Sequence, residues 1–443
     1  MFKNLEKYQR IYLVGIGGIS MSALSVWLKS EGHHVAGCDA NISTRSDYFI
    51  SNGIRATSEC SVQDIARSNL VVYSGAISES DPSRVMARKL GVKCMERGEL
   101  LGTISQNYEK VIAISGSHGK TTITSMLGYI FCTAGLNPTI HVGGVVPFMN
   151  SNMRVGSKKY LITEACEYRD SFLSLKPTVS VVTSVDAEHL DYFGSLEKEE
   201  KSFAQFCKNT LGKCFVSSSA KHFLNIAPQE VEIYPNETKY VKNVFMQDDG
   251  KYTFDYVEDG KEYKGIKLNL LGRHNVDNAL CAIMVARLFG IDMEKIIQAL
   301  SSFNGVQSRF EINTYKDGRK LIYDYAHHPN EIKTTLQTIN DVKNKNYVCF
   351  FQPHTYSRTK VFFDDFINVL KEFESLVLLP TYSAREKIDE AGSSYALYKS
   401  LSKIKSSVYY MNLSDVPQFV SSLPKDKSVI FLGAGDVQNL MRD

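Results

Sequence analysis

Apolar runs of four to six residues recur along this chain, separated by segments whose apolar positions fall three and four apart, the pattern of buried parallel strands joined by helices. Between residues 11 and 106 the pattern predicts a strand at Ile11–Val14, a helix from about Ser20 to Ser30, strands at His34–Asp39 and Leu70–Ser74, and a helix after Pro82. A second block begins at Lys110, with strands at Val111–Ile114, Tyr160–Glu164 and Val179–Ser184 and helices at Thr121–Thr133 and Leu196–Cys207. From about Glu230 to Gly265 the spacing changes to alternating Tyr, Phe and Val around Asp-Asp-Gly and Glu-Asp-Gly turns, which predicts antiparallel hairpins. Helical spacing returns from Asn275 to Phe289, and a third block from near Phe310 places strands at Leu321–Tyr323, Tyr347–Phe351, Leu376–Leu379 and Ser428–Leu432. The predicted class is therefore α/β, with domains at 1–107, 108–309 and 310–443 set by the changes of pattern.

Length agrees, since 443 residues suit roughly three domains of ~150 residues. Hydrophobic residues make up 43% and charged residues 22%, the balance of a folded chain rather than a disordered one. Net charge is +3, from 51 basic and 48 acidic residues, with no long run of one sign; this argues against nucleic-acid or membrane partners and for small molecules. The nine cysteines include no C-x-x-C pair and read as reduced thiols of a cytoplasmic protein. The first ten residues are too polar for a secretory signal, and no apolar run reaches the ~18 residues of a spanning helix.

The chemistry concentrates where strand 111–114 ends in Gly116-Ser117-His118-Gly119-Lys120-Thr121-Thr122 and a helix begins. Backbone N–H groups of such a turn and the helix N-terminus converge on an anion, so the segment is built to hold the phosphates of a nucleoside triphosphate. Lys120 would reach the outer phosphates and the Thr121 hydroxyl would ligate Mg2+. The spacing is shorter than the common G-x-x-x-x-G-K-T, because position 114 is Ile. Phosphoryl transfer from ATP also needs hard oxygen ligands near Thr121, and Glu164 and Glu167, at a strand end in the same block, are the candidates. His189 follows another strand in Asp186-Ala187-Glu188-His189.

Near the N-terminus, Gly15-Ile16-Gly17-Gly18-Ile19-Ser20 follows the first strand and opens a helix. This is either a diphosphate-binding turn or a structural strand-turn-helix; Ser20 replaces the third glycine of the dinucleotide fingerprint, which argues against NAD. Asp39 ends the second strand, where a carboxylate can accept from a ribose or base, and Ser74-Gly75 offers a further backbone edge. In the third block Arg309, Asp324, Tyr325, His327, His354 and Arg358 all fall on loops marked by glycine or proline or beside a strand end.

These segments together resemble the Mur ligase family. The motifs that carry the resemblance are GIGGISMSALS, SGSHGKTT, EACEYRDSFL, DAEHLDYF, GRHNVDNA, GVQSRF, DYAHHPNE, FQPHTYSRT and GAGD, in that order along the whole chain. The resemblance implies a Rossmann-like N-terminal domain for a UDP-sugar, a central P-loop ATPase-like domain, and a Rossmann-like C-terminal domain that docks an amino acid and closes over ATP. It implies an ATP-dependent amide-bond-forming ligase of peptidoglycan precursor synthesis, joining L-alanine to the lactyl carboxylate of UDP-N-acetylmuramate through an acyl phosphate. The rival readings are a sister ligase that adds a preformed peptide, or a nucleotide-binding protein without chemistry.

By the same resemblance Lys120 and Thr121 hold phosphates and metal, Glu164 ligates the first Mg2+ and His189 a second. His274 and Asn275 match the adenine-side motif, Arg309 a phosphate contact and Asp324 a ribose contact. Tyr325, His327, His354 and Arg358 would line the amino-acid pocket, with Arg358 gripping the alanine carboxylate through both oxygens. Cys166 and Arg169 stand where many family members carry Asp, which puts a role for those flanking carboxylates in doubt.

Overall fold

The computed structural model describes residues 5–186, 190–226, 231–235, 240–342, 346–384 and 386–442. Contacts divide it into two compact units: Met1–Lys242, Tyr256–Tyr263 and Asp277–Phe303 form the first, and Asn243–Asp255, Lys264–Val276 and Asn304–Asp443 the second.

The first unit holds two sheets. Strands β1 (Arg10–Val14), β2 (His34–Cys38), β3 (Arg55–Thr57), β4 (Leu70–Tyr73) and β5 (Lys93–Glu96) pair in the order β3-β2-β1-β4-β5, every pair parallel. The order reverses between β1 and β4, so their carboxyl ends open the crevice in which doubly wound sheets bind ligands. Strands β6 (Lys110–Ser115), β7 (Thr139–Val146), β8 (Ser151–Arg154), β9 (Tyr160–Glu164), β10 (Val179–Val182), β11 (Lys213–Ser217) and β12 (Val231–Tyr234) form the second sheet, in the order β12-β11-β10-β6-β9-β7-β8. Only β8 runs antiparallel, against β7. The loops after β6, β9 and β10 therefore leave the same edge of adjacent strands.

The one tryptophan of the chain joins these two sheets. Trp27, on the helix Ile19–Ser30, is fully buried and donates from Nε1 to the Tyr108 hydroxyl at 2.8 Å, which in turn donates to Thr139 Oγ1 on β7 at 3.0 Å. Burial of such a ring contributes on the order of 3 kcal/mol, and the hydrogen-bond chain fixes its orientation.

A three-stranded sheet follows, in the order β13 (Val241–Met246), β14 (Lys251–Glu258) and β15 (Lys261–Leu271). In the second unit β16 (Glu311–Thr314), β17 (Lys320–Asp324), β18 (Tyr347–Phe351), β19 (Leu376–Leu378), β20 (Val408–Tyr410) and β21 (Ser428–Leu432) pair as β16-β17-β21-β18-β19-β20, parallel except β16 on β17. Phe350, Phe351, Phe431 and Tyr323 bury both faces of its centre.

Two expectations are corrected. The stretch predicted as hairpins from about residue 230 begins instead with β12, a parallel edge strand on β11; only β13 to β15 are hairpin-linked, through Gly250 and Gly260, both at positive φ. Alternation marks a strand but does not name its neighbour. The cysteines are not all free thiols, because Cys38 and Cys60 are disulfide-bonded with Cα atoms 5.2 Å apart. Pairing of β2 with β3, which sets Cys38 opposite Thr57, brings together two residues that are 22 apart in sequence.

Candidate active site

Gly116 and Gly119 take φ values of 126° and 81°, and a Cβ on Gly116 would overlap Thr183 Oγ1, so only glycine fits the first of these. Gly119 is the N-cap of the helix Lys120–Thr133 and supplies no side-chain cap. Gly18 does the same for the helix Ile19–Ser30, whereas Ser61, Asp81, Glu96, Ser195 and Ser393 cap other helices with side chains. Both glycine turns thus leave helix N-terminal amides for an external anion.

The phosphate-type loop is stitched to the segment after β10. Ser117 N–H donates to Ser184 O at 2.9 Å, His118 N–H to Ser184 Oγ at 2.9 Å, and Asp186 N–H to Ser117 Oγ at 2.9 Å. The His118 ring meets Asp186 at 3.1 Å. Asn278 Oδ1 lies 3.1 Å from where a Cβ on Gly119 would stand. Thr122 follows on the first turn of the helix.

Two carboxylates face this loop from just beyond and at the end of β9. Thr121 Oγ1 donates to Glu164 Oε2 at 3.0 Å, and Gly143 N–H donates to the same oxygen at 2.7 Å. A Cβ on Gly143 would come within 2.7 Å of both Glu164 oxygens, so a larger residue there would push the carboxylate out of place. Lys120 Nζ meets Glu167 Oε1 at 3.0 Å and the carbonyls of Gly116 and Ser117. Glu167, the second of the two candidate carboxylates, is buried. His189 lies outside the described residues.

At the N-terminal turn, Asp39 Oδ2 accepts from Gly17 N–H at 3.1 Å and Oδ1 from Asn41 N–H at 3.0 Å, so the carboxylate braces the glycine turn itself. Gly15, at φ 80°, approaches Ser74, and Ile16 is buried beneath the turn. His141 ties this turn to the second sheet: its Nε2 lies 3.0 Å from Ser20 Oγ and its Nδ1 2.9 Å from Thr163 Oγ1, the residue before Glu164. Burial lowers the His141 pKa to about 3, so the ring is a neutral bridge. Nothing in sequence singled it out, since its partners lie 121 and 22 residues away.

The second unit gathers another group. His327 and His354 rings are 5.6 Å apart, His354 stacks on Tyr382 at 5.4 Å, and Arg358 Nη1 lies 3.3 Å from His354 Nδ1. Tyr325 is edge-on to His327, with the Arg309 guanidinium 5.1 Å from the Tyr325 ring centre. Enclosure lowers the His327 pKa to about 3 and that of His354 to about 4, with Arg358 adding to both, so both rings are neutral at neutral pH. Asp324 accepts from Thr335 Oγ1 at 2.6 Å, and burial raises its pKa to about 6.

Glu331 is the organiser that sequence reading missed. It accepts from the N–H groups of His327 and His328 at 3.0 and 3.2 Å and stands 3.9 Å from Arg309. The capping-box spacing His328-x-x-Glu331 was its available signal. His274 and Asn275 open the helix His274–Leu288, where Asn275 Nδ2 donates to Leu271 O at 2.7 Å.

A parallel α/β architecture with glycine-capped helix starts, a Lys-Thr pair and two carboxylates defines a phosphate-loop protein equipped for group transfer. Three family descriptions match successive parts of it: Mur ligase family, catalytic domain, over residues 10–109; Mur ligase middle domain over 114–286; and Mur ligase, glutamate ligase domain, over 308–435. A UDP-N-acetylmuramate--L-alanine ligase of Agathobacter rectalis is 36% identical over 455 aligned residues, covering 100% of this chain and 99% of the relative. One of Caldicellulosiruptor bescii is 38% identical, with 99% and 98% covered. The crystal structure of UDP-N-acetylmuramate-alanine ligase MurC from Thermotoga maritima superposes with a TM-score of 0.84 at 26% identity, covering 98% of this chain and 97% of that one. This chain belongs to the Mur ligase family.

Proposed function

We propose that this chain joins L-alanine to the lactyl carboxylate of UDP-N-acetylmuramate at the expense of ATP, in peptidoglycan precursor synthesis. The observation that carries the reading is end-to-end similarity to ligases of that name, on a chain whose phosphate loop, Lys120 and Glu164 converge. The domain limits 1–107, 108–309 and 310–443 belong to this reading, and the family matches lie beside them. No helix among the described residues is long and apolar enough to cross a membrane; on this reading the chain is a cytoplasmic enzyme acting on small molecules.

The sugar nucleotide's diphosphate sits on the turn Gly15–Gly18 beside Ser74 and Gly75, with Asp39 towards its ribose or base. ATP phosphates lie on residues 116–122, where the loop amides and Lys120 take up the charge that spreads over the transferring phosphoryl group. Lys120 leaves Glu167 to do so. The lactyl carboxylate oxygen bonds to the γ-phosphorus while the bond to the β-bridging oxygen breaks and ADP departs, giving an acyl phosphate. Alanine's amine then attacks the acyl carbon and gives its proton to a nearby carboxylate, histidine or water, the tetrahedral oxyanion collapses, and phosphate leaves with the former carboxylate oxygen. Arg358 holds the alanine carboxylate beside His327, His354 and Tyr325, while His274, Asn275, Arg309 and Asp324 contact the nucleotide.

Thr121 Oγ1 and the Glu164 carboxylate form an oxygen donor set that suits Mg2+, and His189 would serve a second ion. Bound there, Mg2+ would neutralise charge on the β- and γ-phosphate oxygens.

The reading is tested by phosphate release with UDP-N-acetylmuramate and ATP, comparing L-alanine with a preformed tripeptide as acceptor. Turnover with alanine at far higher kcat/KM is expected. Preference for the peptide makes it the sister ligase, and no turnover with either makes it a nucleotide-binding protein.

A further inference from the structure

Arg169 and Asp170, just beyond the second site carboxylate, both adopt left-handed backbone conformations, φ 54°, ψ 35° and φ 56°, ψ 19°. Two successive non-glycine residues in that region are costly and persist only where the surroundings hold them. Here the hold is visible: Asp170 Oδ2 accepts from the Tyr192 hydroxyl at 2.7 Å and Oδ1 from Ser202. The kink turns the exposed Arg169 back towards the first sheet. A Cβ placed on Gly75 would stand 3.6 Å from Arg169 Cδ and 3.6 Å from Glu96 Oε1, so the arginine stem runs past the loop after β4. That loop meets the glycine turn directly, Ser74 Oγ being 3.1 Å from a Cβ on Gly15.

The turn itself, Gly15 to Ser22, contains no basic residue, so the start of its helix offers a diphosphate partial charges only. Arg45, a cation that follows β2, already donates to Ser22 Oγ at 2.8 Å. The geometry points to Arg169 as a binding residue that reaches from the second sheet to the diphosphate of the sugar nucleotide. This rests on the function proposed above and adds a residue to its sugar-nucleotide site. A guanidinium delivered to phosphate oxygens forms charge-assisted hydrogen bonds that neutral donors do not match.

The left-handed backbone supplies a discriminating variant, because glycine adopts it without strain. Arg169→Gly should unfold at the same temperature as the parent or higher, yet raise KM for UDP-N-acetylmuramate about tenfold or more, the worth of a hydrogen bond to a charged group, with KM for ATP unchanged. Arg169→Lys should recover part of the loss. Calorimetry with UDP alone and with UDP-N-acetylmuramate separates the two anions the sugar nucleotide carries: weakening of both by a similar factor supports the diphosphate, and weakening of the muramate compound alone overturns it in favour of the lactyl carboxylate. Parent-like KM in the glycine variant, or a rise in ATP KM alone, leaves Arg169 a structural role and sinks the proposal. Failure of the parent protein itself to bind or turn over the sugar nucleotide overturns the functional reading first, and is distinguished by being independent of residue 169.

Discussion

Thr121 and Glu164 are bonded hydroxyl to carboxylate at 3.0 Å, across 43 residues of sequence. A threonine on the first turn of a helix and a glutamate at the end of the neighbouring strand meet because β6 and β9 pair in parallel and place Ile114 opposite Glu164. The same glutamate oxygen takes the Gly143 amide, so its position is set from two sides. Glu164→Gln keeps the shape and removes the charge. Its turnover should fall at least about a hundredfold, and the Mg2+ concentration for half-maximal rate should rise. Phosphate release measured across a Mg2+ series checks this; an unchanged Mg2+ requirement would remove Glu164 from the metal site.

Lys120→Ala removes the ion pair to the buried Glu167, so its Tm should fall while the fold is kept, and it should lose at least about a hundredfold in turnover because a preorganised charge on the transferring group is gone. Circular dichroism and phosphate release together decide. A folded variant with near-normal rate contradicts the role.

How much of this was legible in sequence follows the distance between partners. The strand, glycine turn and Lys-Thr start of the phosphate loop are contiguous, so pattern alone located them and nearly set the helix at Lys120–Thr133. Glu164 was found because a strand end is a local feature. Its tie to Gly143, the hold of Glu167 on Lys120 and the bridge from Ser20 through His141 to Thr163 depend on strand order, which periodicity does not carry. The same limit explains β12, read as part of a hairpin, and Cys38 with Cys60, read as free thiols.

Arg358→Ala should raise KM for alanine far more than KM for ATP. Its guanidinium already touches His354, and the two neutral histidines beside it leave it a carrier of positive charge in that group. Steady-state kinetics with each substrate varied in turn checks this. A change confined to ATP would place the amino-acid pocket elsewhere.

Asp324 yields a pH prediction with a definite sign. Burial raises its pKa from 3.8 to about 6, so the folded state binds its proton more tightly than the unfolded chain does. The stability this contributes is complete below about pH 4 and is lost as pH rises through about 6. Asp324→Asn, which cannot ionise, should therefore gain in Tm relative to the parent between pH 4.5 and pH 7, while raising KM for ATP if the ionised carboxylate accepts from ribose. Thermal unfolding across that range, with a parallel ATP titration, tests both parts; a Tm difference that stays constant with pH contradicts the first.

The central claim is that the sugar-borne carboxylate is phosphorylated before the amide forms. It is tested most directly with UDP-N-acetylmuramate labelled with heavy oxygen in the lactyl carboxylate, turned over with ATP and L-alanine and followed by mass spectrometry of the released phosphate. The account predicts one labelled oxygen in each phosphate for each amide bond made. Phosphate released without label, alongside amide formation, would contradict it.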